Sequence, residues 1–135
     1  MRLVSIIAVS LLASSCAVGP NSPYAQAKDA AYIADLDKAL AGKVAGKPQN
    51  CINLTQSYST EQIGDKTILY KVNRKFLYRN DLRSSCPNLG RDYGLVTRIY
   101  GSQLCQGDLV QPTDFTTGFS GGVCSLGAFV PYQTN

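Results

Sequence analysis

Residues 67–80, TILYKVNRKFLYRN, predict a β-hairpin. Residues 67–72 and residues 75–80 each contain several aliphatic or aromatic side chains, which suit half-buried strands. Asn73 and Arg74 lie between these segments and are placed to form a two-residue turn. The stretch therefore predicts an antiparallel sheet as the framework of the chain.

Strand-like segments recur on both sides of this hairpin, across a β-rich region at residues 51–132. Residues 95–100 and 103–110 flank Gly101-Ser102 and predict a second hairpin with a two-residue loop. Residues 51–55 and 123–130 predict a first and a last strand, and residues 111–122 predict an exposed loop. The fold class is therefore α+β and mainly β, with five or six strands in a small antiparallel sheet or a partly closed barrel.

One amphipathic helix is predicted before the strands, at residues 23–41. Ser22 and Pro23 are suited to the N-cap and the first helical position, and Gly42 is placed to end the helix. The helix either covers a sheet or lies on a lipid surface; its narrow apolar stripe and near-zero charge favour packing on a sheet. The apolar stripe consists of Ala30, Ile33, Leu36 and Leu40.

The first residues of the chain have the pattern of an export signal. Arg2 precedes an apolar run at residues 3–12, which is too short to cross a bilayer as a helix, so residues 1–15 predict a signal peptide. Ala13-Ser14-Ser15-Cys16 resembles the lipobox of bacterial lipoproteins, which implies acylation of Cys16. Ala13 occupies a position where Leu is more usual, and ordinary cleavage after Ala17 stays open.

An acylated Cys16 would attach the protein to a membrane through a short tether. Residues 16–22 form this tether, and residues 23–135 form a single globular domain. By resemblance to lipoprotein sorting rules, Ala17 after the cysteine favours the periplasmic face of the outer membrane. The alternative is a soluble periplasmic or secreted protein.

The cysteine count supports export. The chain has five cysteines, and removing Cys16, by acylation or by cleavage, leaves four that can pair. Two structural disulfides fit an oxidising compartment better than a zinc site, because close cysteine pairs and histidines are missing. Three pairings are possible, and the nested one is preferred because it would join the first and last strands: Cys51 with Cys124, and Cys86 with Cys105.

The composition argues against the commonest catalytic arrangements. There is no histidine to act as a general base, and the thiols are assigned to disulfides, so a non-catalytic protein without cofactor or metal is expected. A carboxylate-dependent hydrolase remains an alternative. Its candidate residue is Asp108, which lies within a predicted strand. The other acids after the helix lie beside turn-forming residues, where solvation and turn formation explain them.

Basic and aromatic residues alternate along the first hairpin. This pattern predicts either an ordinary strand pair or a surface for an anionic ligand, bound through charge and stacking. An envelope component is expected rather than nucleic acid because of the predicted compartment. Loss of Arg2 leaves twelve cationic residues against nine acidic ones, and this mild excess does not by itself indicate nucleic acid. The candidate patch consists of Lys71, Arg74, Lys75, Tyr78 and Arg79.

The chain resembles a family of lipoproteins of Gram-negative bacteria that is classed as a domain of unknown function. The resemblance spans roughly residues 40–132 and implies an exported domain with four structural cysteines, without an assigned activity. Its residues are Gly46-Lys47-Pro48, Cys51-Ile52, residues 67–70, residues 78–82, Cys86-Pro87, residues 104–108 and residues 124–131.

A lipid-anchored periplasmic module that binds an envelope component or a protein partner is therefore the leading hypothesis. A small carboxylate-dependent hydrolase would instead need a second carboxyl group within about 5 to 9.5 Å of Asp108. An ordered, protruding loop at residues 111–122 would favour a third hypothesis, an inhibitor of an envelope enzyme.

Overall fold

The computed structural model describes residues 19–56, 58–90 and 93–135. These residues form a mainly β fold with one helix, several small antiparallel sheets and two disulfides. The helix α1 spans Pro23–Leu40. The strands are β1 Lys43–Ala45, β2 Cys51–Asn53, β3 Ser59–Ile63, β4 Thr67–Lys71, β5 Phe76–Asp81, β6 Gly94–Arg98, β7 Gln103–Cys105, β8 Leu109–Thr113, β9 Cys124–Ser125 and β10 Phe129–Thr134.

The helix begins where its capping residues predict. The Ser22 hydroxyl accepts a hydrogen bond from the Ala25 backbone N–H at 3.2 Å, and Pro23 occupies the first turn. Gly42 lies just beyond the helix with φ of +71°, a conformation that favours glycine. Within the described residues, no helix is long and apolar enough to cross a membrane.

The first predicted hairpin is confirmed, as β4 and β5. Strand β4 ends at Lys71 and β5 begins at Phe76, so residues 72–75 form a four-residue loop instead of the expected two-residue turn. The hairpin lies inside an antiparallel sheet of order β1-β10-β5-β4-β3. Its edge strands β1 and β3 do not pair with each other, which makes it an open sheet and not a closed barrel.

The second predicted hairpin is wrong. A turn at residues 106–108 divides the predicted strand 103–110 into β7 and β8. Gly107 has φ of +94°, and Asp108 accepts a hydrogen bond from the Cys105 backbone N–H at 2.7 Å. These two residues form a turn, and the strands on either side of it separate: β7 pairs with β2, whereas β8 pairs with β6 and β9.

Other predicted segments begin or end at different residues in the structure. The first strand ends at Asn53 instead of residue 55, and the last strand, predicted at residues 123–130, is divided into β9 and β10. Strand β8 continues to Thr113, so the exposed loop covers residues 114–123. Strands β1 and β3 are additional, and the described residues form ten strands where five or six were predicted.

Both disulfides are present, but the preferred nested pairing is wrong. Cys51 pairs with Cys105, and Cys86 pairs with Cys124. The first pair follows from strand register, since Cys51 and Cys105 lie directly opposite each other in β2 and β7 with Cα atoms 4.0 Å apart. Cys124 lies in β9, which pairs with β8, whereas Cys51 lies in β2, which pairs with β7, so these two cysteines belong to different sheets.

The five-stranded sheet has apolar side chains on both faces. The helix covers one face, which confirms the prediction that it packs on a sheet. Tyr32, Leu36, Ala39 and Leu40 of the helix meet Ile63, Leu69, Leu77 and Tyr132 there. Ile33, predicted to belong to the apolar stripe, is 55% exposed. The small sheets cover the opposite face with a core that includes Ile52, Ile68, Tyr70, Cys86, Leu104, Val110, Cys124, Leu126 and Phe129.

An ion pair joins the helix to the turn between β3 and β4. The Asp65 carboxylate accepts hydrogen bonds from Lys28 at 2.8 Å and from the Ser85 hydroxyl at 2.6 Å. Partial burial opposes ionisation of Asp65, but these two hydrogen bonds outweigh it and lower its pKa. Asp65 therefore serves as an ionised anchor for the helix.

Candidate functional site: a basic cleft beside the β4–β5 hairpin

The structure separates the five residues of the predicted anionic-ligand patch. Lys71 ends β4, Arg74 and Lys75 lie in the hairpin loop, and Tyr78 and Arg79 follow on β5. Successive side chains of a strand point to opposite faces, so Tyr78 and Arg79 cannot act on one ligand together. Tyr78 packs against the core formed with the small sheets.

Arg79 is committed to a neighbouring carboxylate. Its Nε donates to Asp81 Oδ1 and its Nη2 lies near Asp81 Oδ2, both at 2.9 Å. Partial burial disfavours the charged form of the guanidinium and so lowers the pKa of Arg79. The hydrogen bonds with Asp81 outweigh this effect and raise the pKa. Arg79 therefore has a structural partner, and it does not belong to the cleft described next.

Two patch residues, Lys71 and Arg74, line one open cleft of about 400 Å³. They are joined there by Lys43 of β1, which sequence reasoning missed. The cleft lies between the end of the helix, the start of β1 and the hairpin loop. Its lining residues are Ala39, Lys43, Ser59, Lys71, Val72, Asn73, Arg74 and Leu77.

Lys43 reaches the cleft through strand order and not through sequence proximity. Strand β1 pairs with β10, and β10 pairs with β5, so the residue after the helix lies on the same sheet as the hairpin. In the sequence, Lys43 follows a helix-ending glycine within residues 42–50, which predict only a turn. No local signal could have joined it to Lys71 and Arg74.

The hairpin loop is held in shape by Asn73. Its side-chain oxygen accepts hydrogen bonds from the backbone N–H groups of Lys75 at 2.8 Å and Phe76 at 2.9 Å. Such an Asx turn reduces the conformational freedom of the loop. Arg74 is thereby presented from an ordered turn, with its side chain exposed.

The cleft carries an excess of positive charge. Its lining includes three cationic side chains and no carboxylate, although Lys71 forms an ion pair with nearby Glu61. Arginine can donate two parallel hydrogen bonds to a phosphate or carboxylate, and lysine adds a compact charge. The Ser59 hydroxyl and the Asn73 amide lie in the same lining. The arrangement suits the binding of an anion.

The carboxylates of Asp108 and Asp114 have structural partners. Asp108 lies in the turn between β7 and β8, outside the strand predicted for it, and accepts from Cys105 N–H. Hydrogen bonds from Thr117 and Thr116 lower the pKa of Asp114, whereas a general acid needs a raised one. No group of three or more metal-ligating side chains occurs among the described residues.

The loop at residues 114–123 has an ordered turn at its start. Asp114 accepts hydrogen bonds from the backbone of Thr116 and the hydroxyl of Thr117, and Asp114 N–H donates to the Phe119 carbonyl at 2.8 Å. The loop presents two large aromatic side chains, since Phe115 is 72% and Phe119 is 50% exposed. The start of the loop is therefore ordered, and its two aromatic side chains are exposed to solvent.

The fold and the cleft define a class: a disulfide-bonded, mainly β domain with one covering helix and a basic cleft on its central sheet. Comparison with models of known protein families, with curated proteins and with solved structures finds no match to this chain. The functional conclusion therefore rests on the chemistry of the residues themselves.

Proposed function

We propose that the protein is an exported, lipid-anchored, non-catalytic binding module that takes an anionic component of the cell envelope in the basic cleft. Two disulfides place the folded domain in an oxidising, exported compartment. The observation that carries the binding proposal is the convergence of Lys43, Lys71 and Arg74 on one cleft. The bound chemistry is a phosphate or a carboxylate group.

The anchor is supported by the sequence alone, because residues 1–18 lie outside the described residues. Ala13-Ser14-Ser15-Cys16 favours acylation at Cys16. Two or more acyl chains would hold the protein stably on a bilayer. Ala17 favours the outer membrane.

Intact mass of the mature protein extracted from membranes tests the anchor. We expect a chain that begins at Cys16 and carries acyl groups, with a gain of four hydrogens on reduction of the two disulfides. An unmodified chain that begins at Val18 would eliminate the anchor and leave a soluble exported protein. The hydrogen gain serves as an internal control, since it depends on the domain and not on the lipid.

Arg74→Gln tests the cleft. Calorimetric titration of the full chain, in a non-ionic detergent, compares glycerol phosphate with inorganic phosphate as probes. We expect Arg74→Gln to raise the Kd for the preferred anion about tenfold, because a hydrogen bond to a charged group contributes roughly 1.5 to 3 kcal/mol. Affinity should also fall as salt increases.

Arg98→Gln is the matched control, since Arg98 is an exposed arginine of β6 outside the cleft lining. Its Kd should equal that of the unmodified protein. Equal losses of affinity in Arg74→Gln and Arg98→Gln would mean that the general positive charge of the protein, and not this cleft, attracts the anion. A preference for glycerol phosphate over inorganic phosphate would point to a lipid headgroup, whereas no saturable binding of either probe would end the proposal.

A protein-binding role, as an inhibitor of an envelope enzyme, is the second candidate. It is favoured by the ordered loop that exposes Phe115 and Phe119. Exposed aromatic side chains on a rigid turn are common anchors in protein interfaces. Phe115→Ser separates the two functions, because it changes this loop and leaves every residue of the basic cleft in place.

A further inference from the structure

Glu61 lies beside the basic cleft, on the same face of the central sheet. In the pairing of β3 with β4, Ser59 is opposite Lys71, and both residues line the cleft. Side chains two positions apart on a strand point to the same face, so Glu61 shares the face of Ser59 and Lys71. The Glu61 carboxylate forms an ion pair with Lys71 there. A carboxylate therefore contacts the cleft from just outside its lining.

This ion pair involves one of the three cations of the cleft. The Lys71 and Glu61 side chains are 40% and 41% exposed, but the Glu61 Oε2 atom that faces the ammonium exposes less than 1 Å². Among the described residues, no carboxylate lies within ion-pair distance of Lys43 or Arg74. In that part of the chain, Lys71 is therefore the one cleft cation that a carboxylate already holds.

The charge of a ligand decides whether it can draw Lys71 into the cleft. Coulomb attraction is proportional to the product of the two charges. A group with one negative charge, such as a carboxylate or a phosphate diester, would only replace Glu61 by a similar partner, so Lys71 adds little to its binding. A phosphate monoester carries about −1.5 to −2 charges at pH 7, and it would attract Lys71 more strongly than Glu61 does.

We infer that Glu61 is the resident counter-ion of the basic cleft and that the ligand is a phosphate monoester, whose extra negative charge draws Lys71 away from Glu61. Lys43 and Arg74 attract any anion, and Lys71 supplies the discrimination between one charge and two. This inference rests on the anion binding proposed above and names the chemical class of the anion.

Glu61→Gln tests the counter-ion, because it removes the carboxylate charge and keeps the size of the side chain. We expect a Kd for glycerol phosphate about fivefold lower than that of the unmodified protein, which is the upper range for an ion pair exposed to this degree. Calorimetric titration of the full chain in a non-ionic detergent measures the Kd. Asp29→Asn is the matched control, since Asp29 is an exposed acid of the helix outside the cleft lining, and its Kd should stay unchanged.

Lys71→Gln shows whether Glu61 acts through the ion pair. When Glu61→Gln is added to this variant, the gain in affinity should shrink to less than about twofold, because no ammonium is left to release. A fivefold gain that persists without Lys71 would overturn the counter-ion role, since Glu61 would then act only by repelling the ligand. An unchanged Kd in Glu61→Gln alone would overturn it as well.

A comparison of probes tests the class of ligand. Glycerol phosphate is a monoester, whereas glycerate and glycerophosphoglycerol each carry one negative charge, as a carboxylate and as a diester. We expect the unmodified protein to bind glycerol phosphate at least about fivefold more tightly than either, since the additional charge strengthens one ion pair. Inorganic phosphate, titrated in parallel, distinguishes a free phosphate from an esterified one.

Equal affinities for glycerol phosphate, glycerate and glycerophosphoglycerol would overturn the assignment of a phosphate monoester. A weaker Kd in Arg74→Gln would in that case still support anion binding in the cleft. The loss of saturable binding for every probe would instead end both proposals, so the two failures give different results.

Discussion

Replacing Cys86 and Cys124 together with alanine is expected to lower the free energy of unfolding by about 4 kcal/mol or more. The disulfide closes a loop with a sequence separation of 38 residues. In the chain-entropy description, a crosslink over such a loop restricts the unfolded state by about 4 kcal/mol. This is a large part of the roughly 5 to 15 kcal/mol that stabilises an ordinary domain.

The buried environment of this disulfide makes a second contribution to the free energy of unfolding. Cys86 is fully buried and Cys124 is 4% exposed, and both belong to the core between the central sheet and the small sheets. Removing two sulfur atoms there leaves a cavity and loses contacts with surrounding apolar groups. Urea unfolding of the full chain, followed by circular dichroism, measures the change.

The other disulfide provides the comparison. Cys51 and Cys105 are separated by 54 residues, so loop closure alone would make their crosslink slightly more stabilising. They are only partly buried, however, and lie in the two-stranded sheet of β2 and β7. We therefore expect the double alanine variant of this pair to lose less stability than that of Cys86 and Cys124. The reverse order would mean that loop length outweighs burial in this fold.

Asn80→Leu is expected to destabilise the protein by about 3 kcal/mol. Asn80 is fully buried in β5, and its side chain makes two hydrogen bonds with one residue: Nδ2 donates to the Gly127 carbonyl at 2.8 Å, and Oδ1 accepts from Gly127 N–H at 2.9 Å. The leucine side chain is similar in size but leaves both backbone groups of Gly127 unpaired. Each unpaired buried group costs roughly 1 to 3 kcal/mol.

This amide holds the connection between the central sheet and one of the small sheets. Gly127 lies between β9 and β10, and the backbone there approaches β5 so closely that a Cβ atom on Gly127 would lie 2.0 Å from the Asp81 carbonyl oxygen. Gly127→Ala should consequently also be destabilising, by forcing the two segments apart. Thermal unfolding of both variants, with hydrogen exchange at β9 and β10, measures the loss. An unchanged melting temperature in Asn80→Leu would contradict the assigned hydrogen bonds.

Local patterns predicted the elements whose formation depends on nearby residues. Ser22, Pro23 and Gly42 determined the limits of the helix, because capping is decided within one turn. The two apolar segments within residues 67–80, and the turn residues between them, predicted the β4–β5 hairpin, whose strands are close in sequence. The odd cysteine count led to two disulfides in the mature domain, since it depends on composition alone.

The tertiary structure decided which distant segments meet. Gly107 and Asp108 turned one predicted strand into two, so that β7 with Cys105 pairs with β2, whereas β8 pairs with β9, which contains Cys124. The period of side chains along a strand shows which face is buried, but it does not specify the partner strand. The sequence pattern alone therefore could not predict which cysteines pair.

The basic cleft has the same origin. Lys43 joins Arg74 through two successive strand pairings. The sequence by itself determined the helix, the hairpin and the presence of two disulfides. Only the tertiary structure decided the cysteine partners and the basic cleft, because these depend on contacts between strands far apart in the chain.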